Sequence, residues 1–337
     1  MKIITCASYY GSGSSAVSDL LSEYSVVKSL TDYEFRFVQD PDGISELEYN
    51  LVENFNRHNS GHALKRYKRL VDYYGDHLLY KRYEPFFQNH WKEYSYRYID
   101  ELTDFSYPGS WMYDSYDKGK LYDFLFRLPN GIMKRTIWRN SRDRNLKIGN
   151  EITLASHPTE EKFLTCTKRY IRSLMEAANP ENKPFLMVDQ ILPSTNIARH
   201  MRYFDDIRVI IVDRDPRDIY LQGKYFWHDS IVPTDAEAFC KWYRYARSTQ
   251  NEEILDKQRV LLIQFEDLIY NYKETVRKIT QWLGIDESLH TGKFNSFDPS
   301  KSIENTGFWI SHAEYKNDAD QIAERLPECL YEFPKIN

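Results

Sequence analysis

No stretch of this 337-residue chain approaches the ~20 consecutive apolar residues needed to span a membrane. The opening MKIITCAS has one lysine and a very short apolar run before the first glycines, so no secretory signal is expected there. Cysteine is scarce: Cys6, Cys166, Cys240 and Cys329 lie far apart, form no Cys-x-x-Cys and read as free thiols rather than zinc ligands. None of the nine histidines has ligand spacing, so no metal is expected. A basic excess is also missing. The formal charge of −5 and pI near 6.0 argue against a general nucleic-acid binder. Long low-complexity segments are absent, which argues against disorder. These absences leave an ordered chain, expected in the cytoplasm, large enough for one sizeable domain or two small ones.

What is present is an alternation of short apolar runs and amphipathic stretches. Lys2 to Ala7, Phe185 to Val188, Ile207 to Val212 and Arg259 to Phe265 read as strands, and they are apolar on both faces, as in a parallel sheet covered by helices. Between them, Val17, Leu20, Leu21 and Tyr24 form one helical stripe. Val276, Ile279, Trp282 and Leu283 form another, closed by Gly284. The order predicts an α/β fold, a central parallel sheet flanked by helices of the P-loop NTPase-like kind. Residues 45–180 read differently. They are rich in Tyr, Phe, Trp, Lys and Arg and are expected to form a large, mainly helical insert within a single domain spanning 1–337.

CASYYGSGSSAVSDLL, residues 6–21, joins the first strand to the first helix. A glycine-rich turn before a helix N-terminus cradles phosphate through backbone N–H groups and the helix dipole. The nucleotide triphosphatase pattern would place Gly at position 8 and Lys at position 14, where this chain has Ser8 and Ser14. The plain alternative is a Gly/Ser turn with a serine cap that binds nothing. VIIVDRDPRDIYLQGKYF, residues 209–226, is the second informative stretch. Asp215 suits an N-cap, Pro216 the first helical position and Asp218 the first turn, so local structure accounts for all three. It does not account for Arg214. At the end of a parallel strand, Arg214 lies on the ligand edge of the sheet and has the fork geometry for a phosphate; the plain alternative is a surface salt bridge.

RDPRDIYLQ resembles the sulfotransferase motif that holds the 3′-phosphate of 3′-phosphoadenosine 5′-phosphosulfate. YYGSGSS resembles the 5′-phosphosulfate loop of the same family. VLLIQFEDLIYNYKETVRKITQWLGI, residues 260–285, is similar to its Tyr-Glu-Asp-Leu strand and following helix. FDPSKSIENTGFW, residues 297–309, resembles its C-terminal loop. The four occur in family order over residues 1–35 and roughly 185–310. The resemblance implies 3′-phosphoadenosine 5′-phosphosulfate as sulfuryl donor, held by Tyr10, Gly11, Ser12, Gly13, Ser14 and Ser15 at the 5′ end. Arg214, Gln222 and Lys301, with Ser302 and Asn305, would take the 3′-phosphate, and Phe265 would face the adenine. Three positions depart from the family pattern: Gly11 stands where it has a loop cation, Gln222 where it has a serine and Phe265 where it has a tyrosine. Arg36, Lys224 or a residue of the insert is left to meet the transition-state charge.

The family's reaction needs a base for the acceptor hydroxyl or amine. Glu34, twenty-one residues after Gly13, matches the glutamate used in several branches, and Asp189 in MVDQILP is the second candidate. A solvated surface acid is the plain alternative for Glu34, and a turn-capping acid for Asp189. His228 lies just past the Arg214 helix as an ordinary polar residue. The insert is expected to bind the acceptor, a carbohydrate in preference to a small phenol, because aromatic faces stack on sugars and cations attract carboxylates or sulfates. Its basic clusters are Lys65, Arg66, Lys68 and Arg69, then Lys134, Arg135, Arg139, Arg142 and Arg144. Solvated helix faces and ordinary aromatic core would account for the same residues. Two other functions fit parts of this pattern: a P-loop small-molecule or nucleoside kinase, and a non-catalytic glycan-binding protein with a degraded nucleotide site.

Overall fold

The computed structural model describes residues 1–30, 33–75, 82–109, 111–141, 144–146, 151–227 and 231–334. Its strands in chain order are β1 (Lys2–Cys6), β2 (Val27–Ser29), β3 (Phe105–Pro108), β4 (Ile152–Ala155), β5 (Phe185–Met187), β6 (Ile207–Asp213) and β7 (Val260–Gln264). The chain divides into two compact units, one of residues 1–40, 86–88 and 171–337, the other of residues 41–85 and 89–170.

The first unit is an α/β layer structure. Its five-stranded sheet has the order β2-β5-β1-β6-β7, and every pairing is parallel. β1 lies at the centre, with Ile4 opposite Met187 on one side and Arg208 on the other. β6 is buried along nearly its whole length, which explains its unbroken apolar run. The four strands expected from the sequence are present to within one or two residues at their ends. β2 carries no readable signal: its three residues, VKS, are too few to show a period.

Both expected helical stripes are buried. Val17, Leu20 and Leu21 of the Ser14–Ser22 helix and Val276, Ile279 and Leu283 of the Tyr272–Leu283 helix share one core with Ile4, Met187, Ile210 and Ile263. Gly284 ends the second helix with φ 74°, a left-handed cap that needs no Cβ. A second core joins Ile219 and Leu221 to Phe239, Tyr243, Ile322 and Leu326. The four thiols are free, and Cys6, Cys166 and Cys240 are buried.

The second unit holds the helices Asn59–Gly75, Trp91–Leu102 and Lys120–Arg135 and a two-stranded antiparallel ribbon of β3 and β4. Much of its aromatic content is core. Tyr67, Tyr98 and Tyr170 are buried together, with Tyr98 stacked on Tyr170 at 4.6 Å and Tyr67 donating to Tyr170 at 3.1 Å. The first basic cluster is internally neutralised: Lys65 pairs with Asp114, Arg66 with Asp42, Lys68 with Asp72 and Arg69 with Asp117. Arg142 of the second cluster lies outside the described residues, as does His228 of the first unit. Among the described residues no helix is long and apolar enough to cross a membrane.

Candidate active site

β1, β5, β6 and β7 are parallel, so the segments that follow them emerge at one edge of the sheet, where open α/β sheets bind ligands. The loop after β1 turns at Gly11 and Gly13, with φ of 73° and 91°. Space demands glycine there as well. A Cβ on Gly11 would lie 2.4 Å from the Trp227 ring, and one on Gly13 would lie 2.5 Å from the Phe265 ring. Ser12 is buried, and its hydroxyl donates to the Tyr9 carbonyl at 2.7 Å, which ties the loop to itself. Tyr10 is exposed and stands edge-on to Trp227 at 5.8 Å. The Ser14–Ser22 helix begins at Gly13 with no side-chain cap. Among the described residues no side chain caps its first-turn N–H groups, which face the loop, and Ser15 is exposed beside them.

Arg214 follows β6 and is only 4% exposed. Its guanidinium donates to the Gly11 carbonyl at 3.0 Å, to Gln222 Oε1 at 2.7 Å and to the Asn305 carbonyl. The plane lies 4.8 Å from the Phe265 ring centre. Gln222 Nε2 donates in turn to Asn305 Oδ1 at 3.3 Å. Every one of these acceptors is neutral. Arg214 forms no ion pair among the described residues, and its Nε is buried without a partner. Burial pushes the guanidinium below its ordinary value, with Asp218, Glu266 and Asp215 opposing, but arginine stays charged at any physiological pH. A desolvated cation bonded only to neutral groups has the charge and the donors to receive an anion.

The neighbouring acids brace this arrangement. Asp215 caps the Pro216–Gln222 helix, accepts from Arg217 N at 2.8 Å and pairs with the Arg217 side chain. Asp218 accepts from Gly307 N at 2.9 and 3.0 Å and so holds the loop that carries Asn305. Burial pushes the Asp218 carboxyl up to about 7 against the pull of Arg214. Glu266 accepts from Asp215 N at 2.9 Å, and burial pushes it up to about 8.

Asp189 lies two residues past the end of β5 and is 6% exposed. Its Oδ2 accepts from the Ser14 hydroxyl at 3.2 Å, and Gln190 Nε2 donates to the same hydroxyl at 3.2 Å. Its Oδ1 is buried without a partner. Burial pushes the carboxyl up to about 7, the charge of Glu34 adds to this, and the Ser14 hydrogen bond opposes it. Glu34 is exposed and lies 3.8 Å from Arg36; the Phe35 N–H beside it donates to the Asp189 carbonyl at 3.0 Å.

The remaining candidates make other contacts. Lys301 is 82% exposed along its side chain, 4.0 Å from Asp298, and Ser302 beside it is half-buried. Of the residues considered in place of a loop cation, Lys224 pairs with Asp318 at 2.7 Å and Arg36 with Asp40 at 2.9 Å. Sequence reasoning missed Trp227, which closes on Gly11, and the bracing role of Asp218 and Gly307. Trp227 carries no local signal; Gly307, with φ 64° before a helix, had one.

A profile described as the sulfotransferase family matches residues 120–288, half of the chain, including the Arg214 motif and β7 but not the glycine loop. The chain belongs to the sulfotransferase family and is an enzyme that transfers a sulfuryl group. No curated protein matches the sequence significantly. Among solved structures, it is similar to the sulfotransferase domain of the Synechococcus PCC 7002 olefin synthase, at 16% identity and TM-score 0.42, covering 99% of this chain and 95% of that one. It is also similar to the sulfotransferase domain of the curacin biosynthetic pathway, at 13% identity and TM-score 0.43, covering 99% and 98%. Retinol dehydratase, solved with androsterone and the inactive cofactor PAP, is similar at 14% identity and TM-score 0.36, covering 100% and 84%.

Proposed function

We propose that this enzyme moves a sulfuryl group from 3′-phosphoadenosine 5′-phosphosulfate to a hydroxyl of a saccharide. The observation that carries the donor reading is Arg214: a buried guanidinium bonded only to neutral acceptors, with Nε left over. A terminal phosphate would complete its coordination, with Gln222 and the Asn305 segment beside it. The glycine cradle suits the 5′ end, because a Cβ at Gly11 or Gly13 would strike a neighbouring ring.

When bound, the donor supplies the sulfuryl group and its leaving phosphate. The chain's own work is positioning and charge stabilisation. Backbone N–H groups of Gly11, Gly13, Ser14 and Ser15 hold the anion, the Ser12 N–H being taken by the Tyr9 carbonyl, and Phe265, buried against Gly13 and the Arg214 guanidinium, ties the two ends of the site together. Asp189 is the stronger candidate for the base. It lies in the turn after β5 at the ligand edge, it keeps an unpartnered oxygen, and a carboxyl poised near neutrality exchanges a proton readily at pH 7. Glu34 acts on it through charge. The saccharide reading rests on the composition of the second unit, and the free thiols favour a reducing compartment such as the cytoplasm.

The test is calorimetric titration with 3′,5′-bisphosphoadenosine against ATP, followed by mass spectrometry of donor with an acceptor panel. The bisphosphate is expected to bind more tightly, with an ~80-dalton gain (the mass of SO₃) on a saccharide. Preference for ATP would overturn the donor assignment, and sulfation confined to phenols would overturn the acceptor class.

A further inference from the structure

The second unit contains a cavity of about 470 Å³, within the size range of small-ligand sites. The donor chemistry does not use it. Its walls are rings. Phe55 stacks on His157 at 3.6 Å and 9°, His58 stacks on Trp111 at 4.7 Å and 19°, and Phe105 and Tyr107 of β3 stand beside each other at 6.4 Å. These rings are not sealed in a core. Phe105, Tyr107 and Trp111 are 61%, 50% and 44% exposed, an unusual degree for three large aromatics around one cavity.

The fold holds this shape from the backbone. A Cβ on Gly61 would lie 1.9 Å from the Leu154 carbonyl oxygen. The start of the Asn59–Gly75 helix is thereby pressed onto β4, and Ser60, Gly61 and His62 of its first turn line the cavity. The positive end of a 17-residue helix faces whatever enters.

The lining carries two cations, Arg57 and Lys65, and two acids, Asp104 and Asp114, and both acids are already paired. Asp114 is taken up by Lys65 at 2.5 Å and by the Trp111 N–H at 2.7 Å. Asp104 is taken up by Lys162 at 3.1 Å and the His157 N–H at 2.8 Å. Arg57 is exposed and makes no ion pair among the described residues. Its Nε donates to His58 Nε2 at 3.3 Å, which aims the guanidinium beside the His58–Trp111 stack. A free cation next to open aromatic faces and a helix start asks for an anionic group on a ring. The lining also holds the amphipathic rings Tyr107 and Tyr113, together with Thr153 and Ser156, whose hydroxyls donate to the Gly109 and Leu102 carbonyls and keep only acceptor capacity. Sugars, which offer a C–H face to aromatics and hydroxyls to polar groups, fit this mixture better than aryl acids.

We propose that this cavity binds a uronic-acid saccharide, its ring against Trp111 and its carboxylate on Arg57. The proposal rests on the saccharide reading above and narrows it. The experiment is isothermal titration of the full chain with a uronic-acid tetrasaccharide, with its carboxyl-reduced neutral counterpart and with benzoate. The uronide is expected to bind saturably and the neutral sugar about tenfold more weakly. Arg57→Gln should weaken the uronide about tenfold and leave the neutral sugar unchanged. Trp111→Ala should weaken both at least tenfold, and Trp111→Phe, which keeps a stacking face, should restore most of the binding to a folded protein. Absent uronide binding, an Arg57→Gln variant with unchanged affinity, or tighter binding of benzoate would overturn the proposal. Titration with 3′,5′-bisphosphoadenosine on the same sample separates the two readings. Nucleotide binding without uronide binding removes this site alone, and uronide binding without nucleotide binding removes the donor assignment alone.

Discussion

The Ser14 hydroxyl donates to the Asp189 carboxylate at 3.2 Å and so links the first residue of the cradle helix to the turn after β5. The bond couples the proposed base to the proposed anion site. Ser14 stabilises ionised Asp189, whereas burial and Glu34 oppose ionisation. An anion held at the helix start would oppose it further.

If ionised Asp189 takes the acceptor's proton, kcat/KM should rise with pH through about 7 and level off above it. Asp189→Asn should lower turnover by about 10²–10⁴-fold and abolish that limb. Glu34→Gln removes a like charge and should move the limb to lower pH while most of the rate is retained. A pH–rate profile of the two variants decides the matter: collapse in Glu34→Gln with a persistent limb in Asp189→Asn would exchange their roles.

Arg214→Ala should weaken binding of 3′,5′-bisphosphoadenosine by about 1.5–3 kcal/mol, the range for a hydrogen bond to a charged group. Arg214→Lys keeps the charge but loses the fork and should fall between the two. Calorimetric titration reads both, and an unchanged dissociation constant in Arg214→Ala would remove the phosphate from this residue.

Gly13→Ala and Gly284→Ala form a matched pair. Both positions are left-handed, with φ of 91° and 74°, but an added Cβ at Gly284 has nothing within 4 Å, whereas at Gly13 it meets Phe265 at 2.5 Å. The Gly284 variant should lose about 1–2 kcal/mol from backbone conformation alone. The Gly13 variant should lose a further ~1–3 kcal/mol from overpacking, together with nucleotide affinity. Urea denaturation of the two measures the difference, and equal losses would show that the ring yields without cost.

Burial pushes Asp218 up to about 7 and Glu266 up to about 8. Between the ordinary carboxylate range and these values the folded chain holds protons that the unfolded chain has released, so stability should fall as pH rises from about 4 through about 8. Both groups act in the same direction, because each gains proton affinity on folding. Denaturation midpoints at pH 5 and 8 test the sign. Asp218→Asn should flatten the dependence, and greater stability at pH 8 would contradict it.

Much of the fold around the candidate site was legible because its parts are local. Apolar runs buried on both faces announced β1, β5, β6 and β7. Asp215 and Pro216 announced their helix, and two glycines announced the cradle. Arg214 stood out because no local rule required it. Lys301 was singled out by its motif alone, and its side chain lies largely in solvent.

The sequence by itself determined the strands, the caps and the left-handed turns, because each follows from the conformational preference of neighbouring residues and from the period of their burial. Only the tertiary structure decided which distant groups meet. Arg214 reaches the Gly11 carbonyl across 203 positions and the Asn305 carbonyl across 91. Ser14 reaches Asp189 across 175, and Trp111 and His58 close one wall of a cavity. Backbone preference ends within a few residues, so such contacts are set by how helices and strands pack.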